Sequence, residues 1–173
     1  MKALVVVDYQ VDFVNGSLGF PGAEKLEPVI LEKIAKCRSE GGQVIFTLDT
    51  HGEDYLRTAE GRKLPVVHCV KGTPGHALYG KVAGAVRQED IIIEKPAFGS
   101  LELADLLQRI APDEVELCGL VTDICVISNA VIAKAALPES RVSVDPAACG
   151  SPDFEAHMRA LRAMAGVQIE IPV

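Results

Sequence analysis

The sequence predicts an α/β protein with a three-layer α/β/α, doubly wound architecture and a mostly parallel sheet of six strands. Two observations carry this prediction. Short apolar runs without polar alternation recur along the chain, and segments with helical spacing of apolar residues separate them. Because parallel strands need crossover helices, this alternation favours a sheet covered on both faces. No repeat or compositional shift divides the 173 residues, so we expect a single domain spanning residues 1–173.

Each predicted element rests on a simple pattern. The strands are runs of β-branched and other apolar residues, as expected for strands buried on both faces. The helices have apolar residues three or four positions apart, with Ser100 and Ser151-Pro152 as start signals. The stretch 52–88 is rich in glycine and proline and lacks periodicity, which is typical of a functional loop. The predicted strands are residues 3–7, 44–48, 91–93, 115–118, 142–144 and 167–171, and the predicted helices are residues 24–40, 100–110, 122–136 and 151–166.

Charge and cysteine content exclude several classes of function. The formal net charge is −7 and no basic stripe is present, so we expect no nucleic-acid partner. No apolar run approaches the roughly 20 residues of a membrane-spanning helix, and the N-terminal run is too short for a signal peptide. The five cysteines are odd in number and form no Cys-x-x-Cys pair, which is typical of a reducing compartment. We therefore predict a cytoplasmic protein that does not associate with membranes.

Reactive side chains follow four of the predicted strands. Any one of them has an ordinary explanation, because acids form turns, lysines are solvated and cysteines fill cores. Ligands bind at the carboxyl ends of the strands in such sheets, however, so the joint placement indicates one site. Cys125 also falls in the first turn of a predicted helix, where the macrodipole favours a thiolate. The side chains are Asp8, Asp49 with His51, Lys95 and Cys125.

At these positions the chain resembles a known family. Asp8 after the first strand, Lys95 after a later strand and Cys125 in Gly-Leu-Val-Thr-Asp-Ile-Cys-Val resemble the Asp–Lys–Cys triad of the isochorismatase-like cysteine hydrolases. The resemblance covers essentially the whole chain. It implies an enzyme that hydrolyses nicotinamide to nicotinate and ammonia through a thioester.

The resemblance also implies a role for each residue of the triad. Cys125 is the expected nucleophile, Asp8 carries its proton to the departing amine, and Lys95 stabilises the charged forms. The backbone N–H groups of Val121 and Cys125 are expected to form an oxyanion hole, with a cis peptide at Val121–Thr122. Phe13 is expected to stack on the substrate ring, although a core position explains it equally well.

A metal ion is the second implication of the resemblance. Asp49-Thr-His51 and the segment 65–75, which contains His68, look like the metal segments of the nicotinamidase branch. One carboxylate and two imidazoles leave open positions on a divalent ion, for which we expect zinc, with iron or manganese as alternatives. Glu60 is the expected fourth ligand by its position, and His76 is a weaker candidate. The competing interpretation is that the histidines only hydrogen-bond within loops.

Other functions are compatible with part of this pattern. The chain has no tryptophan, whereas several nicotinamidases place one just before the histidine of the second metal segment, where Leu64, Pro65 and Val66 lie here. The first alternative is therefore a related hydrolase acting on another amide, carbamoyl or ureido compound. The second is a non-catalytic ligand-binding homologue. A phosphatase built on Asp8 is disfavoured because Gln10 stands where a second acid is needed. We expect a small-molecule amide partner and a homo-oligomer.

Overall fold

Five parallel strands form the centre of the structure, a computed structural model that describes residues 1–172. The α/β class and the parallel sheet predicted from the sequence are confirmed. Residues 3–7 of the first strand are completely buried, which explains their unbroken apolar run. The strands are β1 (Lys2–Val7), β2 (Gln43–Asp49), β3 (Ile91–Lys95), β4 (Glu114–Leu120) and β5 (Arg141–Gly150), in the spatial order β3-β2-β1-β4-β5.

The helices cover both faces of the sheet. Right-handed crossovers that run in opposite directions across a sheet place their helices on opposite faces. The chain runs from β1 to β2 in one direction and from β4 to β5 in the other, so the two intervening helices lie on opposite sides. The described helices are α1 (Val11–Val14), α2 (Glu27–Ser39), α3 (Ala59–Lys63), α4 (Gly80–Gly84), α5 (Leu101–Ile110), α6 (Ile127–Ala136) and α7 (Phe154–Gly166). None of them is long and apolar enough to cross a membrane.

The sixth predicted strand, residues 167–171, does not join the sheet. Gln168 turns the chain with a φ of 65°, and only Glu170 then pairs with β5. The N–H and the carbonyl of Glu170 make two hydrogen bonds to β5, of 2.8 and 2.9 Å. The next donor along this ladder would be Pro172, which has no N–H. The sheet of the described residues therefore has five strands rather than six.

Three α-helices begin later than the sequence predicted: α2, α7 and α6, which follows a π turn at Thr122–Val126. A 3₁₀ turn, Ala23–Leu26, precedes α2. The cap of α7 is Asp153 rather than Ser151, because the Asp153 carboxylate accepts hydrogen bonds from the first free N–H groups of the helix at 2.9 and 3.2 Å. The stretch 52–88 is irregular, as expected, but it also contains α3, α4 and two 3₁₀ turns.

The neighbouring strands β1 and β4 define a crevice at their carboxyl ends. The chain leaves them in opposite directions, which makes this edge the switch point of the sheet. Asp8 follows β1 directly, and Gly119, the next-to-last residue of β4, pairs with Val7 of β1. Gly119 has a φ of 116°, and a β-carbon there would lie 2.0 Å from the carbonyl oxygen of Val7. Only glycine suits this close approach of the two strands.

We predict that Gly119→Ala lowers the free energy of unfolding by about 3 kcal/mol or more, because it combines backbone strain with a clash against β1. Urea denaturation followed by circular dichroism measures the loss. Gly166→Ala is the matched control, since an added β-carbon there meets no atom within 4 Å. The control should stay within about 1 kcal/mol of wild type. Equal stabilities of the two variants would contradict the steric requirement at Gly119.

Candidate active site

Asp8, Lys95 and Cys125 meet at the carboxyl edge of the sheet. The Nζ of Lys95 lies 2.6 Å from Oδ2 of Asp8 and 3.5 Å from Sγ of Cys125. All three side chains are buried, and Lys95 reaches the other two from β3, at the edge of the sheet. The structure thus brings together the three residues that the sequence analysis assigned to catalysis, with the ammonium in contact with both the carboxylate and the thiol.

Burial dominates the protonation of these groups. It raises the pKa of Asp8, against the opposing attraction of the Lys95 ammonium. It also raises the pKa of the Cys125 thiol well above its usual value, and the Asp8 carboxylate adds to this effect. Burial lowers the pKa of Lys95, but its electrostatic interactions with the acidic groups around it, above all Asp8, outweigh this effect and leave the pKa raised. The direction of the shift in the pKa of Cys125 favours the neutral thiol, contrary to the thiolate expected from its position at a helix start.

Cys125 lies in a single π turn, Thr122–Val126, that precedes α6. The carbonyl of Val121 accepts hydrogen bonds from the N–H groups of Ile124 (3.2 Å) and Val126 (3.1 Å), but not from that of Cys125. Within residues 1–172 the N–H of Val121 has no acceptor. π turns of this kind are frequent at functional sites. The N–H of Val121 thus has no partner within the described residues, and Val121 lines the same cleft as Cys125.

Asp8 is fixed by its backbone and by its neighbours on β2. Its φ of 46° lies in the left-handed region, where non-glycine residues are uncommon and cluster at functional sites. Its Oδ1 accepts a hydrogen bond from Thr47 Oγ1 (2.6 Å), whereas Oδ2 forms the ion pair with Lys95 without a well-directed hydrogen bond. Two residues further on, the buried amide of Gln10 donates to the carbonyl of Asp49 (2.9 Å) and accepts from its N–H (2.7 Å). Gln10 thereby ties the loop after β1 to the end of β2.

Asp49, His51, Glu60 and His68 form a second cluster, and the donor atoms of its members all lie within 4.8 Å of one another. Oδ2 of Asp49 is 3.0 Å from Nε2 of His51 and 3.3 Å from Nε2 of His68. Oε1 of Glu60 is 3.8 and 3.6 Å from the same two nitrogens. Ligands about 2.1 Å from a tetrahedral ion lie about 3.4 Å apart, so these four donors fit one divalent ion.

The surroundings orient each donor of this cluster. Nδ1 of His68 lies 2.7 Å from the carbonyl of Val66, which can only accept, so in the neutral imidazole that binds a metal the lone pair lies on Nε2, which faces the cluster. Glu60 lies in the first turn of α3, which Thr58 caps by accepting from the helix at 3.0 Å. The buried ring of Tyr55 packs against both histidine rings, at centroid distances of 4.6 and 4.9 Å. Contacts with the surrounding residues therefore hold the donors of this cluster in place, unlike those of freely moving surface groups.

The charges of the cluster favour an ionised Asp49. Burial raises the pKa of Asp49, but hydrogen bonds from His51 and His68 outweigh it and hold the pKa well below its usual range. Burial lowers the pKa of His68, and its contact with Asp49 outweighs this effect, so the pKa of His68 is raised. Metal binding needs the carboxylate ionised and the imidazoles neutral, so protons compete for this site through His68 rather than Asp49.

A cleft of about 430 Å³ opens onto both clusters and reaches Cys125, Asp49, Glu60 and His68. Phe13 lines the cleft, 5.5 Å from the ring of His68, and is also buried in the core, so both interpretations of this residue apply. A neighbouring cavity of about 550 Å³ touches His51 and Glu60 but not Cys125. The apolar wall of the cleft includes Leu18, Leu64, Phe98 and Ile124.

Three details differ from the sequence analysis or were absent from it. His76 lies outside the metal cluster, with its Nε2 2.8 Å from Oγ1 of Thr50. The cis peptide is Leu120–Val121, one residue earlier than expected. The sequence analysis did not find the supporting contacts of Thr47 and Gln10, and the only signal for Gln10 was its place two residues after Asp8.

The fold and these clusters define a class of α/β proteins with a buried cysteine, lysine and aspartate at the switch point of a parallel sheet. The chain belongs to the isochorismatase family, since the model of the isochorismatase domain matches residues 2–171. The nicotinamidase/pyrazinamidase of Mycobacterium tuberculosis is 29% identical over 189 aligned positions, covering 99% of this chain and 98% of that protein.

Solved structures give the same relationship. The pyrazinamidase of Pyrococcus horikoshii in complex with zinc has a TM-score of 0.87 and 30% identity, covering 99% of this chain and 98% of that one. The pyrazinamidase/nicotinamidase of Streptococcus mutans has a TM-score of 0.89 and 28% identity, covering 99% of this chain and 100% of that one. The family resemblance stated from the sequence is therefore confirmed.

We predict that Lys95→Met destabilises the fold by about 3–5 kcal/mol at pH 8, because it leaves the Asp8 carboxylate buried without its counter-ion. The folded-state pKa of Asp8 then lies further above its unfolded value, so the loss relative to wild type shrinks as the pH falls and Asp8 takes up a proton. Urea denaturation at pH 8 and pH 5.5 measures both effects. The double variant Asp8→Asn/Lys95→Met should be more stable at pH 8 than Lys95→Met alone. The reverse order would show that the ion pair is not the cause.

Proposed function

We propose that this protein is a metal-dependent cysteine amidohydrolase that converts nicotinamide to nicotinate and ammonia. One observation carries the proposal: a buried thiol, in contact with an ammonium that pairs with a carboxylate, lines a cleft that also reaches three of four donors that fit a divalent ion. The similarity to the enzymes of M. tuberculosis and S. mutans supports nicotinamide as the substrate.

The first half of the reaction forms a thioester. Burial raises the pKa of the Cys125 thiol, so a base is needed to remove its proton, and Asp8 is that base. The sulfur then attacks the amide carbon. The tetrahedral intermediate then collapses, the C–N bond breaks, and Asp8 returns the proton to the departing amine to give ammonia. The raised pKa of Asp8 suits a group that must both accept and hold a proton.

The second half consumes water. Asp8 takes a proton from a water molecule whose oxygen attacks the thioester carbon, the C–S bond breaks, and the sulfur regains a proton. Lys95 stays charged throughout, because the surrounding carboxylates raise its pKa. Its ammonium stabilises the negative charge that passes between Asp8 and Cys125.

The oxyanion formed in both halves needs donors at the π turn. The N–H of Val121 has no acceptor within the described residues, and the N–H of Cys125 does not donate to the carbonyl of Val121. We assign these two groups to the oxyanion hole, where loss of one donor typically costs about 3–4 kcal/mol of transition-state stabilisation.

The remaining side chains bind and orient the substrate. Asp49, His51, His68 and Glu60 are the proposed metal ligands, and Phe13 is placed to pack against the ring beside His68. The four proposed ligands would hold a divalent ion, for which zinc is expected first, and the ion would supply Lewis-acid binding that orients the substrate ring. Two imidazoles and two carboxylates also suit iron or manganese.

We predict that purified protein releases ammonia and nicotinate from nicotinamide and that Cys125→Ala lowers kcat at least about 10⁴-fold. Ammonia release, with product identified by chromatography, is the measurement. Cys37→Ala is the matched control, because this buried cysteine lies on α2, outside the cleft, and should leave kcat within about twofold of wild type. Full activity of Cys125→Ala would contradict the assignment of Cys125 as the nucleophile. Absence of nicotinamide turnover by the wild-type protein would contradict nicotinamide as the substrate.

A second candidate is hydrolysis of another amide, carbamoyl or ureido compound. It is favoured by the cleft wall, where Leu64 and Ile124 are partly exposed aliphatic side chains that leave space beyond a single pyridine ring. A substrate panel containing nicotinamide, pyrazinamide and N-carbamoyl amino acids, scored by ammonia release at equal concentration, separates the two candidates. A higher kcat/KM for a carbamoyl compound would select the second.

We predict one divalent ion per chain by elemental analysis and a decrease of at least about 10-fold in metal affinity for Glu60→Gln, because the variant replaces a charged ligand with a neutral amide. Competition with a chromophoric chelator gives the affinity. Glu53→Gln, which changes an exposed acid from the same loop, is the control and should bind metal as wild type does. Equal affinities for both variants would exclude Glu60 as a ligand.

A further inference from the structure

Asn129 is a completely buried polar side chain of α6 that no step described above uses. Its Nδ2 donates to the carbonyl of Cys125 (2.8 Å) and to the carbonyl of Phe98 (3.0 Å). Its Oδ1 accepts from the N–H of Ser100 (3.0 Å). One side chain therefore links the backbone of the candidate nucleophile to two points of the loop 96–100.

This loop comes directly after Lys95 and contacts the Lys95 ammonium. The carbonyl of Ala97 accepts from Nζ of Lys95 at 3.0 Å. Phe98 lines the cleft and is 44% exposed, so apolar packing does not hold it firmly. Ser100, at the end of the loop, caps α5 by accepting from Leu103 at 3.1 Å. The loop thus supplies an acceptor to Lys95 and part of the cleft wall.

Asn129 is the principal anchor of this loop. Within residues 1–172, only Lys95 and Asn129 make hydrogen bonds to residues 96–99. The flexible side chain of Lys95 is positioned by the acceptors around its Nζ, and Ala97 is one of them. Loss of Asn129 would free Ala97 and Phe98 together, while the carboxylates of Asp8 and Asp49 would keep their places.

We propose that Asn129 is a positioning residue: it holds the loop 96–100 so that the ammonium of Lys95 keeps its contact with the thiol of Cys125. This inference rests on the proposed amide hydrolysis at Cys125. A displacement of about 1 Å at a reacting group typically costs about 100-fold in rate. Asn129 touches neither the cleft nor the reacting atoms, so its effect falls on kcat rather than on substrate binding alone.

Two variants test the proposal. Asn129→Asp keeps the size of the side chain and its acceptor for Ser100, but it replaces the two donated hydrogen bonds with a carboxylate that faces two carbonyl oxygens. Asn129→Ser retains a hydroxyl that reaches the Cys125 carbonyl four residues earlier, as Ser128 reaches Ile124, and it is too short for the loop. We expect kcat for nicotinamide to fall about 100-fold in both folded variants, with KM changed less than fivefold.

Ser128→Ala is the matched control. The substitution removes a side-chain hydrogen bond of the same kind and in the same turn of α6, from Oγ to the carbonyl of Ile124 at 2.6 Å. Unlike Asn129, Ser128 makes no hydrogen bond to the loop. Its kcat should stay within about twofold of wild type. Thermal unfolding of each variant sets an assay temperature at which all are folded, so that lost stability does not register as lost activity.

The rate of Cys125 alkylation by iodoacetamide, with Cys125→Ala as background, reports on the site without any amide substrate. We expect slower alkylation in both Asn129 variants and an unchanged rate in Ser128→Ala. Wild-type kcat and alkylation in folded Asn129→Ser would overturn the proposal, even if Asn129→Asp failed to fold. Slower alkylation together with no nicotinamide turnover by wild type would support the positioning role and reject the proposed substrate.

Discussion

The buried ion pair between Asp8 and Lys95 is the interaction on which the rest of the site depends. The two residues end strands that are not neighbours, so the pair forms only when β2 lies between them. Either charge alone would carry a desolvation cost of several kcal/mol. Further contacts of the ammonium with Ala97 and Asp49 reduce that cost. Because Asp49 also belongs to the candidate metal cluster, the ammonium of Lys95 contacts carboxylates of both clusters, at Asp8 and at Asp49.

The parts of the site that follow strand ends were predictable from the sequence. Parallel strands share one carboxyl edge, so Asp8, Asp49, Lys95 and Cys125 had to lie near one another once the strands were identified. Glu60 was a weaker inference, since its position depends on the short helix α3 and its Thr58 cap, inside a stretch that shows no periodicity. The histidine cluster needed the family resemblance, because two histidines in loops carry no geometric information of their own.

Features set by individual hydrogen bonds were beyond reach of the sequence. The prediction of a sixth strand was wrong because Pro172 has no N–H to continue the pairing that Glu170 begins. The predicted cap of α7, Ser151, was wrong because the carboxylate of Asp153 accepts from the first N–H groups of the helix. The π turn has no amino-acid composition that marks it in the sequence, and the raised pKa of the Cys125 thiol comes from burial, which only the folded chain shows. Long-range bonds such as those of Gln10 and Asn129 depend on the assembled tertiary structure, which periodicity does not encode.

The two clusters differ in how far apart their members lie along the chain. The metal donors come from one continuous stretch, residues 49–68, whereas Asp8, Lys95 and Cys125 come from three distant regions. Contacts between distant residues form late, because closing long loops costs entropy that only the completed sheet repays. The candidate nucleophile Cys125 therefore meets Asp8 and Lys95 only once the sheet that also forms the cleft is assembled.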